Sequence, residues 1–180
     1  TSLTAVNVSD HGGSNSVALD LTGGPGATIT VDGLTVDSSS DATAVDVADS
    51  GSDLTVTGSS INDTNNGIVV SDVSGTAVVS DTTVDNSAGT AIDLDGPDAG
   101  GVVDVAVNES TSIDQATTGI DVDISNTAGS TVDVNNVDVN GTSSGVDITG
   151  LTDDSTTFVN VTDSTFTNND GAGLNLSDPG

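Results

Sequence analysis

The chain repeats itself about every 26 residues, and that period confines its fold more than any other feature of the sequence. "VDGLTVDSSSDATAVDV" (Val31–Val47), "VTGSSINDTNNGIVV" (Val56–Val70) and "VSDTTVDNSAGTAIDL" (Val79–Leu94) share one grammar with "VNNVDVNGTSSGVDI" (Val134–Ile148) and "VTDSTFTNNDGAGLNL" (Val161–Leu176). A first block fits as "LTAVNVSDHGGSNSVALDL" (Leu3–Leu21), and a fifth fits with a slip as "VNESTSIDQATTGIDVDI" (Val107–Ile124). Each block alternates apolar and polar residues, crosses a turn rich in Asn, Asp, Ser and Gly, and then resumes with apolar-any-apolar. Alternation with a period of two is the mark of a strand. The turn residues are those that tolerate a left-handed backbone.

Seven such blocks leave no room for helices. The pattern predicts an all-β parallel solenoid over residues 1–180 as one domain, with about seven coils of about 26 residues and three short strands per coil. One coil cannot fold alone. Its roughly six inward side chains yield about 1.5–3 kcal/mol each on burial, against about 1–2 kcal/mol of backbone entropy for every ordered residue. Stacking must supply the rest, through files of like residues: Ile29/Leu54/Val132/Val159, then Val31/Val56/Val79/Val134/Val161, then Val36/Ile61/Val84/Val139/Phe166, and Leu19/Val45/Ile68/Ile92/Ile120/Val146/Leu174. An immunoglobulin-like sandwich is the competing all-β architecture, but it carries no 26-residue register.

"FTNNDGAGL", with its echoes "INDTNNGIV" and "VDNSAGTAI", resembles the right-handed parallel β-helix rungs of pectate-lyase-like proteins. It is also similar to the repeats of polymorphic outer-membrane and autotransporter adhesins. The resemblance spans the chain and implies a fold; a solenoid of this kind does not by itself imply an activity.

Composition closes off several functions. The chain has no Lys, no Arg and one His, against 28 acidic residues, all but Glu109 being Asp. Without basic side chains there is nothing to neutralise phosphates, so nucleic acid and anionic membrane are implausible partners. No apolar run is long enough to span a bilayer. The absence of Cys excludes disulfides and thiolate chemistry.

Between the inward residues of the third strand runs an outward column: Asp20, Asp46, Val69, Asp93, Asp121, Asp147 and Asn175. Carboxylates about 4.8 Å apart repel by roughly 0.9 kcal/mol in water, and at about 1 M salt a Debye length near 3 Å screens that repulsion. The Asp-rich, Lys-free composition resembles the surface proteins of extreme halophiles, which implies folding in molar salt. Calcium is the other reading of the aspartates, through Asp95–Asp98, Asp121/Asp123 or Asp153–Asp154. None matches an EF-hand loop, and Gly23–Val31 lacks the Asp of a calcium roll. The expectation is adventitious Ca2+ or other cations on an acidic face, with no ligands assigned and no cofactor.

No catalytic residue is expected. A lyase acting on uronates would use a basic residue, and a hydrolase needs converging carboxylates. Sugar clefts add aromatic platforms, yet only Phe158 and Phe166 exist, with Phe158 on an outward position and Phe166 inward. His11, in "SDHGG", reads as a solvated turn residue with no partner placed by any motif. Of six N-glycosylation sequons, at Asn7, Asn62, Asn108, Asn140, Asn160 and Asn175, the turn sites Asn62 and Asn140 are expected to be the most accessible acceptors.

Neither end of the sequence carries an atypical capping repeat, so flanking coils or end-to-end self-association are expected. The sequence therefore points to a non-catalytic structural or adhesive rod, roughly 34 Å long at about 4.8 Å per coil, in an extracellular layer, stalk, filament or adhesin. A carbohydrate-binding or carbohydrate-processing β-helix is the alternative, with surface glycans as candidate partners.

Overall fold

The computed structural model describes residues 2–4, 6–11, 16–24, 26–38, 42–48, 53–72, 74–97, 102–125, 127, 129–151 and 157–177. Those residues form 21 strands and no helix. The first sheet holds β1 (Ser2–Thr4), β4 (Thr28–Asp32), β7 (Asp53–Thr57), β10 (Thr76–Ser80), β13 (Asp104–Asn108), β16 (Thr131–Asn135) and β19 (Phe158–Thr162). The second holds β2 (Asn7–His11), β5 (Thr35–Ser38), β8 (Ser60–Asn62), β11 (Thr83–Asp85), β14 (Thr111–Asp114), β17 (Val137–Asn140) and β20 (Thr165–Thr167). The third holds β3 (Ser16–Thr22), β6 (Ala42–Ala48), β9 (Asn66–Ser71), β12 (Thr90–Asp95), β15 (Thr118–Asp123), β18 (Ser144–Thr149) and β21 (Leu174–Leu176). Neighbours in all three sheets run parallel. Each coil gives one strand to each sheet and lies on the coil before it. This is a parallel β-helix, as the repeat predicts.

The inward files form as expected and are more complete than the sequence suggested. Ala77 and Val105 continue the file Ile29/Leu54/Val132/Val159. Val107 joins Val31/Val56/Val79/Val134/Val161, and Ile113 joins the Val36/Phe166 file. Between Val45 and Val146 the third-sheet file is sealed from solvent. At the last described rung the same files open out: Val159, Val161 and Phe166 are half-buried, while Leu174 and Leu176 are 38% and 48% exposed.

The slip in the fifth block has a local cause. Glu109 is an inserted residue, and both it and Ser110 take positive φ (54° and 66°). In the other described coils that corner holds one left-handed residue: Gly33, Gly58, Asp81, Asn136 or Asp163. The second corner repeats the device with Asp63, Asn86, Gln115, Gly141 and Asn168. A left-handed residue turns its N–H along the rod axis, where it donates to the carbonyl of the next coil. Gly33 donates to Thr57, Gly58 to Ser80, Asp81 to Glu109, Ser110 to Asn136 and Asn136 to Thr162, over 3.0–3.2 Å. The ladder therefore runs through the corners as well as the strands, and backbone groups in the turns are satisfied as they must be.

In most corners the residue after the left-handed position points inward; Leu34, Ala116 and Val137 are apolar there, and most of the others are hydroxylated. Ser59, Thr64, Thr82, Ser87, Thr111 and Thr142 are buried. Their hydroxyls bond to backbone carbonyls, as Thr82 to Ser80 at 2.8 Å, to one another, as Thr64 and Ser87 at 3.1 Å, or to a side-chain amide, as Thr142 to Asn169 Oδ1 at 2.7 Å. At the entrance to the third sheet the inward position is smaller still: Ala44, Gly67, Ala91, Gly119 and Gly145 are buried there, and Gly173 is half-buried.

Coil length varies. Successive third-sheet partners lie 26 residues apart (Leu19 to Val45), then 23 (Val45 to Ile68), 24 (Ile68 to Ile92), 28 (Ile92 to Ile120), 26 (Ile120 to Val146) and 28 (Val146 to Leu174). Much of the variation sits in the connection from the third sheet back to the first. That connection takes four residues between Ser71 and Thr76 and eight between Asp95 and Asp104. The first corner, held by its ladder, never exceeds two residues.

Candidate functional site

Between Val45 and Val146 the core is sealed, so the candidate sites there lie on the outer faces. On the third sheet, pairing puts Asp20 beside Asp46, Asp46 beside Val69, Val69 beside Asp93, Asp93 beside Asp121, Asp121 beside Asp147, and Asp147 beside Asn175. Asp95 and Asp123 form a parallel pair two residues on. The register that stacks the core stacks these carboxylates too, and the chain has no Lys or Arg to answer them. Burial, reinforced by Asp95 and Asp121, pushes the Asp93 carboxyl up to about 6 from an ordinary 3.8. Burial raises Asp121 as well, with Asp147, Asp95 and Asp123 adding to it. Asp46 is raised by burial and by Asp20. Two devices relieve the column: Val69 interrupts it, and the Asn175 amide donates to Asp147 Oδ1 at 2.9 Å.

A carboxyl whose folded value lies above its unfolded value holds its proton more tightly in the folded state. Its stability contribution is complete below about 4 and is lost as pH rises through about 6. Asp93→Asn mimics the protonated form, so it is expected to stabilise the fold at pH 7.5. The full shift corresponds to about 3 kcal/mol; discounting for solvent screening of a half-exposed group leaves about 1 kcal/mol. Thermal melts of both proteins at pH 5 and 7.5 check this. The gain should shrink at pH 5; an equal gain at both values would contradict it.

The outer face of the second sheet is different. One column reads Thr35, Ser60, Thr83, Ser112, Asp138 and Thr165, and the next reads Asp37, Asn62, Asp85, Asp114, Asn140 and Thr167. Two shallow hollows of about 320 Å³ lie on this face. One is lined by Thr35, Asp37, Ser60, Asn62, Thr83 and Asp85, and the other by Ser112, Asn136, Asp138, Asp163 and Thr165 among others. Hydrogen bonds tie neighbouring coils here, with Asn140 Nδ2 donating to Asp114 at 2.8 Å and Thr165 Oγ1 to Asp138 at 2.6 Å. Asp85 keeps one buried carboxylate oxygen with no hydrogen-bond partner. Sequence reasoning missed these hollows, because each is lined by residues of three successive coils that only the stacking brings together.

The sequence-derived sites fare unevenly. Asn62 and Asn140 close β8 and β17, but neither is among the more accessible sequons: both are half-buried, whereas Asn7, Asn160 and Asn175 are exposed. The corners fold the following residues inward, so a turn in sequence is not a projection in space. Phe158 is outward and 65% exposed, beside Thr131. His11 ends β2, where the pairing with β5 shifts register. Its side chain, together with Gly12 and Gly13, lies outside the described residues, as do Asp98, Asp153 and Asp154. Among the described residues no group of three or more His, Asp or Glu is arranged to hold a metal ion. Nor is any helix long and apolar enough to cross a membrane.

The chain matches no family model, no curated protein and no solved structure.

Proposed function

We propose that this protein is a non-catalytic structural or adhesive β-solenoid of an extracellular layer, stalk or filament, adapted to high salt. The observation that carries the reading is the acidic stack Asp93/Asp121/Asp147, built by the same register as the core and facing no Lys or Arg. Such a surface favours a concentrated electrolyte and disfavours polyanionic partners. Cations collect on it adventitiously. Self-association, by end-to-end stacking or through flanking repeats, belongs to the same proposal. A head-to-tail contact of that kind builds a fibre.

The hydroxyl- and carboxylate-lined hollows of the second sheet favour a second reading, a carbohydrate-binding or carbohydrate-processing β-helix. A glycan array combined with a degradation screen on acidic and neutral polysaccharides separates the two. The structural reading expects no released product, with rods or layers by negative-stain microscopy. Product release would overturn it in favour of the second.

A further inference from the structure

The six sequons differ in one respect that the sequence hides, namely where the hydroxyl two residues after the asparagine goes. At Asn62 and Asn140 it belongs to Thr64 and Thr142, both buried inside the second corner. Thr64 Oγ1 pairs with Ser87 Oγ at 3.1 Å, and Thr142 Oγ1 donates to Asn169 Oδ1 at 2.7 Å. The left-handed residues between them, Asp63 and Gly141, force that inward turn. The asparagines are themselves occupied. Asn62 Nδ2 donates to Asp63 at 3.1 Å, and Asn140 takes part in bonds with Asp114, Thr167 and Asn168. Asn108 is half-buried, with its Oδ1 sealed and without a partner.

Asn160 is arranged in the opposite sense. It sits within β19, where strand geometry sends residues i and i+2 to the same face. Asn160 and Thr162 are both exposed, while Val161 between them joins the inward file. Among the described residues the Asn160 side chain makes one hydrogen bond, a long one, Nδ2 to Asp133 Oδ1 at 3.3 Å. Asn175 is exposed too, but its amide is held by Asp147 at 2.9 Å and its Ser177 is half-buried.

We infer that Asn160 is an N-glycan attachment site of the folded protein, and that the corners at Asn62 and Asn140 are closed to modification by the fold. The donor is a sugar carried on a lipid phosphate. The Asn160 amide nitrogen bonds to the anomeric carbon, the C–O bond to the carrier phosphate breaks with its electron pair leaving on the phosphate, and the amide gives up one proton. In the cell this rests on the extracellular reading above; the reactivity of the folded chain does not.

The test therefore uses purified protein in high salt, an oligosaccharyltransferase and a lipid-linked oligosaccharide, with sites mapped by mass spectrometry after cleavage at Asp. The expected result is sugar at Asn160, abolished by Asn160→Gln and by Thr162→Val, with Asn62 and Asn140 unmodified. Chain unfolded in urea and presented as peptides should accept sugar at Asn62 and Asn140 as well. Equal modification of Asn62 or Asn140 in the folded chain, or an unmodified Asn160, would overturn the assignment. Locating the protein in its own cells tests the extracellular reading separately.

Discussion

Transfer from about 1 M salt to a few millimolar is expected to cost this protein most of its β-sheet circular dichroism. The stacked carboxylates lie about 4.8 Å apart, and the Debye length passes through that distance between about 0.15 M, where it is near 8 Å, and about 1 M, where it is near 3 Å. A midpoint of about 0.4 M follows by interpolation. Each contact in the column is worth only roughly 0.9 kcal/mol unscreened. The chain nevertheless carries a net charge of −28 with no cation of its own, and folding concentrates that charge on a narrow rod. A triple variant, Asp93→Asn, Asp121→Asn and Asp147→Asn, should move the midpoint to lower salt, because amides in this column donate to their neighbours as Asn175 does to Asp147. A spectrum unchanged down to millimolar salt would refute the electrostatic account of this surface.

Gly119→Ala should be nearly as damaging, for a steric reason that salt does not touch. A Cβ built at Gly119 falls 2.5 Å from the Gly145 carbonyl oxygen and 2.6 Å from Val139 Cγ1. Neither neighbour can yield, since the carbonyl belongs to the next coil and Val139 is fully buried in its file. Overpacking of this kind costs about 1–3 kcal/mol, and here the upper end is expected because the strain falls on the inter-coil backbone. The control lies one coil away, where Ala91 fills the equivalent position with its methyl accommodated. Ala91→Gly should cost only about 0.5–1 kcal/mol through added chain freedom. Urea titration of both variants in high salt checks the contrast; similar, small losses would mean that the entrance to the third sheet is slacker than described.

These two experiments probe features that were legible in the sequence to different degrees. The inward files were readable because branched residues recur at one phase, and the acidic column followed once that phase was fixed. Ala77 escaped because a methyl carries a weak periodic signal, and Val107 and Ile113 escaped because Glu109 breaks the phase of its block. The corners were the larger gap. Thr64, Thr82 and Thr142 read as polar turn residues, yet they are fully buried, because a left-handed residue directs the next side chain into the coil. The misplaced accessibility of Asn62 and Asn140 has the same origin. The hollows on the second sheet are each lined from three successive coils, which no local pattern encodes.

The uneven length of the third connection gives the molecule one permissive edge. All three edges of the prism carry inter-coil backbone hydrogen bonds, yet the third also absorbs four residues in one coil and eight in another without disturbing the register on either side. Foreign peptides spliced between Asp95 and Asp104 would thus be displayed along a single seam, at a spacing dictated by the scaffold, while the stack behind them keeps its alignment.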